Sequence, residues 1–259
     1  VVIDSRILEK SGPRRAVRAV AVMGLALALS ACTASSPPGS EFNDPYESVN
    51  RDVHAFNKEF DRVVFRPVSR AYGTVLPRYV RQRLNNVQSH FSLPADTINA
   101  GLQGRGENTV HNFFRFLVNS TVGVLGIFDP ATSLGLEDRS TDFGETLFVW
   151  GAGEGAYLEV PLFGPYTQRA LVGEVVDVFL NPLSFIGLDA PESYIPAGTY
   201  VTEAVDYRYE FADTVDNVLY ESADSYAQLR LIYLDNRRFQ LGDTSSAAAI
   251  DPYEELYGE

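Results

Sequence analysis

The sequence is poor in the residues from which most reactive sites are built. It has one cysteine, one methionine, one tryptophan and three histidines in 259 residues. A single cysteine, Cys32, excludes an internal disulfide and any C-x-x-C motif. His54, His90 and His111 stand at no metal-ligand spacing, and no H-E-x-x-H occurs. There is no nucleophile elbow G-x-S-x-G and no Walker loop. Positive charge is scarce too: 21 Lys and Arg against 34 Asp and Glu, a net −13. That balance argues against nucleic acid as a partner and against simple electrostatic docking on anionic headgroups. The folded body offers no apolar run near the roughly 20 residues a spanning helix needs, nor the repeated alternating strands of a membrane barrel. The five-residue stretch Gly151, Ala152, Gly153, Glu154, Gly155 resembles a phosphate loop only in glycine content; its spacing is wrong for G-x-G-x-x-G, and a tight turn is the better reading.

What is present begins with a leader. Arg14, Arg15 and Arg18 precede an apolar stretch from Ala19 to Ala31, followed at once by Cys32. Basic, then apolar, then small residues is the pattern of a secretory signal. Leu29-Ser30-Ala31-Cys32 looks like a bacterial lipobox, in which the leader is removed and the cysteine carries a diacylglyceryl group and an acylated amine. Three acyl chains exceed the two signals that stable anchoring requires. Thr33 after the cysteine, in place of Asp, is compatible in such lipoproteins with sorting to the outer membrane. The expected organisation is a signal peptide over 1–31, a flexible tether over 32–43, a helical domain over 44–240 and a disordered acidic tail over 241–259.

Within the body the apolar period is helical. A first helix is expected after Asp44-Pro45, with Asp44 as its cap and Val49, Val53, Phe56, Phe60 and Val64 on one face; Pro67 breaks or restarts it. Residues 77–94 and 94–104 are expected as two helices divided by Pro94, and 106–130 as a fourth. A small Gly- and Pro-rich middle segment is expected to carry short strands, "AYLEVPL" among them, and the short helix "TDFGETLFVW". Helices over about 167–182, 199–220 and 222–240 complete the chain.

"RFLVNSTVGVLGIFDPA", from Arg115 to Ala131, has no charge between its first arginine and Asp129. Projected as a helix, Phe113 to Phe128 place Arg115, Asn119 and Gly126 on a narrow stripe, with Phe, Leu, Val and Ile over most of the remainder. Phe113, Phe114, Leu117, Leu125 and Phe128, with Trp150 further on, are therefore candidates to face lipid. The stripe is a candidate lining for a polar path through an apolar layer, since a charged headgroup crosses such a layer only at high cost without one. The alternative is that Arg115 pairs with a carboxylate and joins two segments. Gly151, Gly153 and Gly155 are candidates to border the same path. The arrangement that suits these features is monotopic: amphipathic helices lying in one leaflet around a polar interior.

Four stretches carry a family resemblance. "NDPYESVNRDVHAFNKEFD" resembles D-P-x-E-x-x-N-R followed by F-N. "RFLVNSTVGVLGIFDPA" resembles R-F-x-x-N-x-x-x-G-x-x-G-x-x-D-x-A. "DFGETLFVWGAGEGAYLEVPLFGP" resembles F-G-x-T-L-x-x-x-G-x-G-x-G-x-Y-x-x-x-P-x-x-G, and "SADSYAQLRLIYLDNRR" resembles S-D-P-Y-x-x-x-R. In this order they resemble the VacJ/MlaA outer-membrane lipoproteins from about Asp44 to Gln240, with Ser225 and Ala156 where the family often has proline. The resemblance implies an all-α, ring-like body embedded in the inner leaflet of the outer membrane on its periplasmic side. It implies a central amphipathic channel and a role in removing misplaced phospholipid from the outer leaflet. A soluble periplasmic lipid carrier and a trimeric porin are the implied partners, with no reaction catalysed, no metal, and no cofactor beyond the acyl anchor on Cys32. A non-transporting scaffold that binds porins is the alternative function.

Overall fold

The computed structural model describes residues 42–181 and 195–243. The leader, Cys32 with most of the tether, and the tail beyond 243 lie outside these residues. The described chain is helical, with one small hairpin. In order come α1 (Glu47–Phe60), a π-helical turn (Asp61–Phe65), α2 (Arg66–Val75), α3 (Arg78–Leu102), α4 (Gly106–Thr121), the short α5 (Pro130–Ser133) and α6 (Phe143–Val149). Strands β1 (Tyr157–Val160) and β2 (Gly164–Thr167) follow, then α7 (Gln168–Leu180), α8 (Ile195–Glu210), α9 (Ala212–Asp216), a second π-helical turn (Asn217–Glu221) and α10 (Ser225–Leu241).

Two prolines behave differently from expectation. Pro67 does not break its helix: α1, the π turn and α2 run on as one rod to Val75. A proline lacks the N–H for the ladder and crowds the carbonyl four residues back; the wider π turn just before it relieves both faults. Pro94 lies inside the 25-residue α3, so the two helices expected there are one. Asn181, at the end of α7, donates its side-chain N–H to the Phe91 carbonyl at 2.7 Å and so ties α7 to α3 in the turn before the proline.

Asp44 is not a helix cap. Its carboxylate is buried and accepts from Asn50 Nδ2 at 2.9 Å, from the Tyr226 hydroxyl and from Arg230 Nη1 at 2.5 Å, which ties the start of α1 to α10. The short strands expected in the Gly- and Pro-rich segment form a pair, and "AYLEVPL" marks the first of them. β1 and β2 are antiparallel, Tyr157 opposite Thr167 and Val160 opposite Gly164. Asn57 of α1 pins their turn, donating to the Val160 carbonyl at 3.0 Å and accepting from Leu162 N at 2.7 Å. The small apolar core, Tyr157, Tyr226 and Leu234, lies between this hairpin and α10.

The dominant feature of the packing is an inversion. Among the described residues, buried polar or charged side chains outnumber buried hydrophobic ones about two to one, while large apolar residues lie exposed on α1, α2, α4, α7, α8 and α10. Soluble domains bury the second class and expose the first. Several buried charges are held in pairs, which offsets the cost of desolvation: Arg81 with Asp206, and Arg208 with Asp61 (2.8 Å) and Asp216 (2.6 Å). No described helix is long and apolar enough to cross a membrane.

Candidate functional site: an apolar hairpin on a polar latch

The helix expected to reach Phe128 stops at Thr121. Val122 to Phe128 instead fold back as a hairpin of turns. Gly123 N donates to the Val118 carbonyl (3.1 Å), Leu125 N to Ser120 (3.1 Å), Gly126 N to Asn119 (2.9 Å) and Phe128 N to Gly123 (2.9 Å). Val124 and Leu125 adopt left-handed backbone, φ 53° and 55°, a conformation costing about 1–3 kcal/mol per non-glycine residue. Helical periodicity cannot reveal such a reversal, because its apolar residues still satisfy the helical pattern. The informative signal was Gly123: a Cβ there would stand 2.5 Å from the Phe128 carbonyl oxygen, so only glycine permits the close return.

The hairpin displays apolar groups. Val122, Val124, Leu125, Ile127 and Phe128 are exposed, as are Phe113, Phe114 and Leu117 on the adjoining face of α4 and Trp150 at the end of α6. The six residues expected to face lipid are thus all exposed, from 40% for Leu117 to 67% for Leu125. The Trp150 indole donates to the Leu102 carbonyl at 3.1 Å, and the Arg83 guanidinium lies 4.8 Å over the Phe128 ring.

Beneath it lies the polar stripe. Arg115 is buried and bonded from several sides: Nη2 to Asp129 Oδ2 at 2.9 Å, Nη1 to the Thr132 hydroxyl at 2.9 Å, and Nη1 to the Leu136 carbonyl. Asn119 donates to Asp129 Oδ1 at 2.9 Å and accepts from Ala131 N at 3.1 Å. Asp129 also caps α5 through Thr132 N. Desolvation opposes its charge, but the bonds from Thr132 and Asn119 and the neighbouring Arg115 together hold its carboxyl below the usual range. Arg115, Asn119 and Asp129 thus form a latch that closes the segment after the hairpin onto α4. They also line a cavity of about 30 Å³ with Asn86, Ser89, His90 and Leu93 of α3, a volume suited to a water-sized guest. Of the three stripe residues, Arg115 and Asn119 line this cavity, whereas Gly126 lies beyond the end of α4, in the hairpin against His90, and Arg115 spends its donors on protein acceptors. Asp129 and His90 were missed as partners; Asp129 stood in the quoted motif as its last charged letter.

The other motifs assemble in the same way. Asn50 bridges Asp44 to the Tyr157 carbonyl at 3.1 Å, and Arg51 grips Asp224 with both Nη atoms at 3.1 and 3.0 Å. His54 lies between Glu159, 3.4 Å away, and the Ser225 hydroxyl at 3.0 Å. The first, third and fourth motifs are therefore one hydrogen-bonded cluster. The glycine loop is a turn, with Gly151 and Gly155 at φ 88° and 78°. It is fastened by Arg169 Nη1 on the Ala152 carbonyl (3.0 Å) and by Glu154 on Arg238 (2.9 Å), and it is not part of the lining of the cavity beside Arg115.

A further set of carboxylates, on α3, α7 and α8, is buried or half-buried. Burial pushes Asp96 up to about 8 and Asp177 to about 6, and raises Glu203 as well. A carboxyl whose pKa is higher folded than unfolded binds more protons in the folded chain, so its contribution falls as pH rises from about 4 through about 8. Asp96→Asn is expected to remove part of that loss: thermal melts should show the variant more stable than the parent at pH 9 and little different at pH 5. Among the described residues no group of His, Cys, Asp and Glu is placed to hold a metal ion.

A helical body with charge buried, hydrocarbon exposed and an apolar hairpin on its surface has the character of a membrane-associated protein. The sequence profile of MlaA lipoproteins matches residues 42–240, and the chain belongs to that family. It is 31% identical to the intermembrane phospholipid transport system lipoprotein MlaA of Escherichia coli K12, over 80% of this chain and 82% of the relative. The corresponding protein of Haemophilus influenzae is 29% identical over 84% and 88%. An uncharacterised protein of Rickettsia prowazekii is 34% identical over 73% and 74%. A solved structure from work on the structural basis for maintenance of bacterial outer membrane lipid asymmetry superposes with a TM-score of 0.67 at 30% identity, covering 76% of this chain and 98% of that one.

Proposed function

We propose that this protein is an outer-membrane lipoprotein that takes misplaced phospholipid from the outer leaflet through a central amphipathic channel and hands it to a soluble periplasmic carrier, so maintaining lipid asymmetry. The observation that carries this reading is the inverted packing: buried polar side chains and exposed Val, Leu and Phe around the helices. In one leaflet such a body keeps its hydrocarbon in lipid and offers a headgroup polar surroundings, which lowers the cost of passage. The names of the Escherichia and Haemophilus relatives and the lipid-asymmetry structure support it. In this reading the acyl anchor on Cys32 holds the chain at the periplasmic face, the ring of helices sits in the inner leaflet, and a trimeric porin braces it there. Chemistry is not required; the work is transfer.

The test is a strain lacking this protein. Outer-leaflet phospholipid, measured with an impermeant amine-reactive label, is expected to rise and to return to normal on complementation, with phospholipid co-purifying with the detergent-extracted protein. Normal asymmetry in the deletion strain rejects transport and leaves the porin scaffold. For the anchor, Cys32→Ala is expected to abolish labelling by radioactive fatty acid and leave the leader uncleaved; unchanged labelling refutes lipidation at this residue.

A further inference from the structure

The recess beside the latch contains an ionisable group that the latch does not use. His90 of α3 is 3% exposed. Its ring stacks flat on Phe116 of α4, with centroids 4.9 Å apart. Its Nε2 lies 3.2 Å from the Ser120 hydroxyl, and its Nδ1 is buried without a hydrogen-bond partner. The hairpin rests directly on it: a Cβ on Gly126 would stand 2.3 Å from His90 Cβ. The charged groups lining the same recess are Arg115, from α4, and Asp129, from the hairpin's exit; α3 itself adds only the neutral Asn86 and Ser89. Asp129 is already engaged by Arg115, Asn119 and Thr132. A proton on His90 would therefore add a second buried cation next to Arg115 with no carboxylate of its own.

We infer that His90 is a pH-sensitive seat for the apolar hairpin Val122 to Phe128: the neutral ring holds the hairpin on α3, and the protonated ring releases it. The sign follows from burial, which pushes the imidazole below its ordinary value near 6.5. The seated form then binds fewer protons than the open form, so the seat is firm above that value and weakens as pH falls below it. Release changes how Val122, Val124 and Leu125 are presented at the protein surface. The inference concerns the hairpin alone and holds whether or not the protein moves lipid.

Hydrogen exchange of the full chain in detergent micelles tests it, with the intrinsic pH dependence of exchange divided out. Protection of the peptide covering Val122 to Phe128 is expected to fall by up to about tenfold between pH 7.5 and pH 5.5. His90→Gln and His90→Phe should keep equal protection at both pH values, while His54→Gln and His111→Gln should behave as the parent does. Protection in the parent that does not change with pH overturns the inference. So does a pH dependence that survives in a folded His90 variant. Should neither His90 variant fold, the unmodified chain decides by NMR: the His90 ring and the hairpin amides must titrate together with a midpoint below 6.5, and separate midpoints reject the switch.

Discussion

Arg115→Glu is expected to cost about 3–5 kcal/mol of stability, the range for removing one partner of a buried ion pair, because the new carboxylate would face Asp129 where a guanidinium now bonds it at 2.9 Å. Arg115 is also the donor to Thr132 and to the Leu136 carbonyl, so the segment following the hairpin loses its attachment to α4 in the same step. For a chain of this size that is a drop in melting temperature on the order of 10 °C. Thermal unfolding in detergent measures it. A double-mutant cycle of Arg115→Ala and Asp129→Ala, which adds no new charge, isolates the pairing. The sequence left Arg115 between lining a lipid path and pairing with a carboxylate, and for a lining residue the charge reversal would harm passage more than stability. The contacts of Arg115 predict the opposite order: folding is lost first, and passage with it. A variant that keeps the parent's melting temperature and still fails to pass lipid would restore the lining role.

Gly173→Ala is the second large effect. α6 and α7 meet at two glycines, and a Cβ on Gly173 would stand 2.2 Å from the amide nitrogen of Gly144 and 2.6 Å from its Cα. Both are backbone atoms that cannot rotate away, so the helices must separate. Overpacking costs about 1–3 kcal/mol and occasionally more, and this case belongs at the upper end despite the roughly 1 kcal/mol that alanine gains over glycine inside a helix. The separation also displaces Asp142, which caps α6 and is gripped by both Nη atoms of Arg237 at 2.8 and 2.7 Å. Gly153→Ala, where nothing lies within 4 Å, is the matched control and should melt with the parent.

Much of this architecture was legible from residue order. Helical period and the tight turn at Gly151 to Gly155 are local properties, and local chemistry fixes them. The errors fell where a distant group settles a local choice. Pro94 does not end its helix: α3 continues through it, with Asn181 of α7 bonded in the turn before it. Asp44 forgoes capping because Tyr226 and Arg230 reach it from the far end of the chain. The stretch from Val122 to Phe128 leaves the helix because Asn119 and Asp129 draw the chain back.

By itself, then, the sequence determined the class of fold, the family and the short apolar stretch too brief to cross a bilayer. Each of these depends on composition and on the spacing of neighbours, which a linear chain already contains. Only the tertiary structure decided that Arg115, Asn119 and Asp129 are one latch, that the first and last motifs meet around Asp44, and that His90 lies under the hairpin. Pairings of this kind join residues up to 186 positions apart. Their partners are chosen by which buried charge must be neutralised once the helices pack, and no periodicity along the chain records that choice.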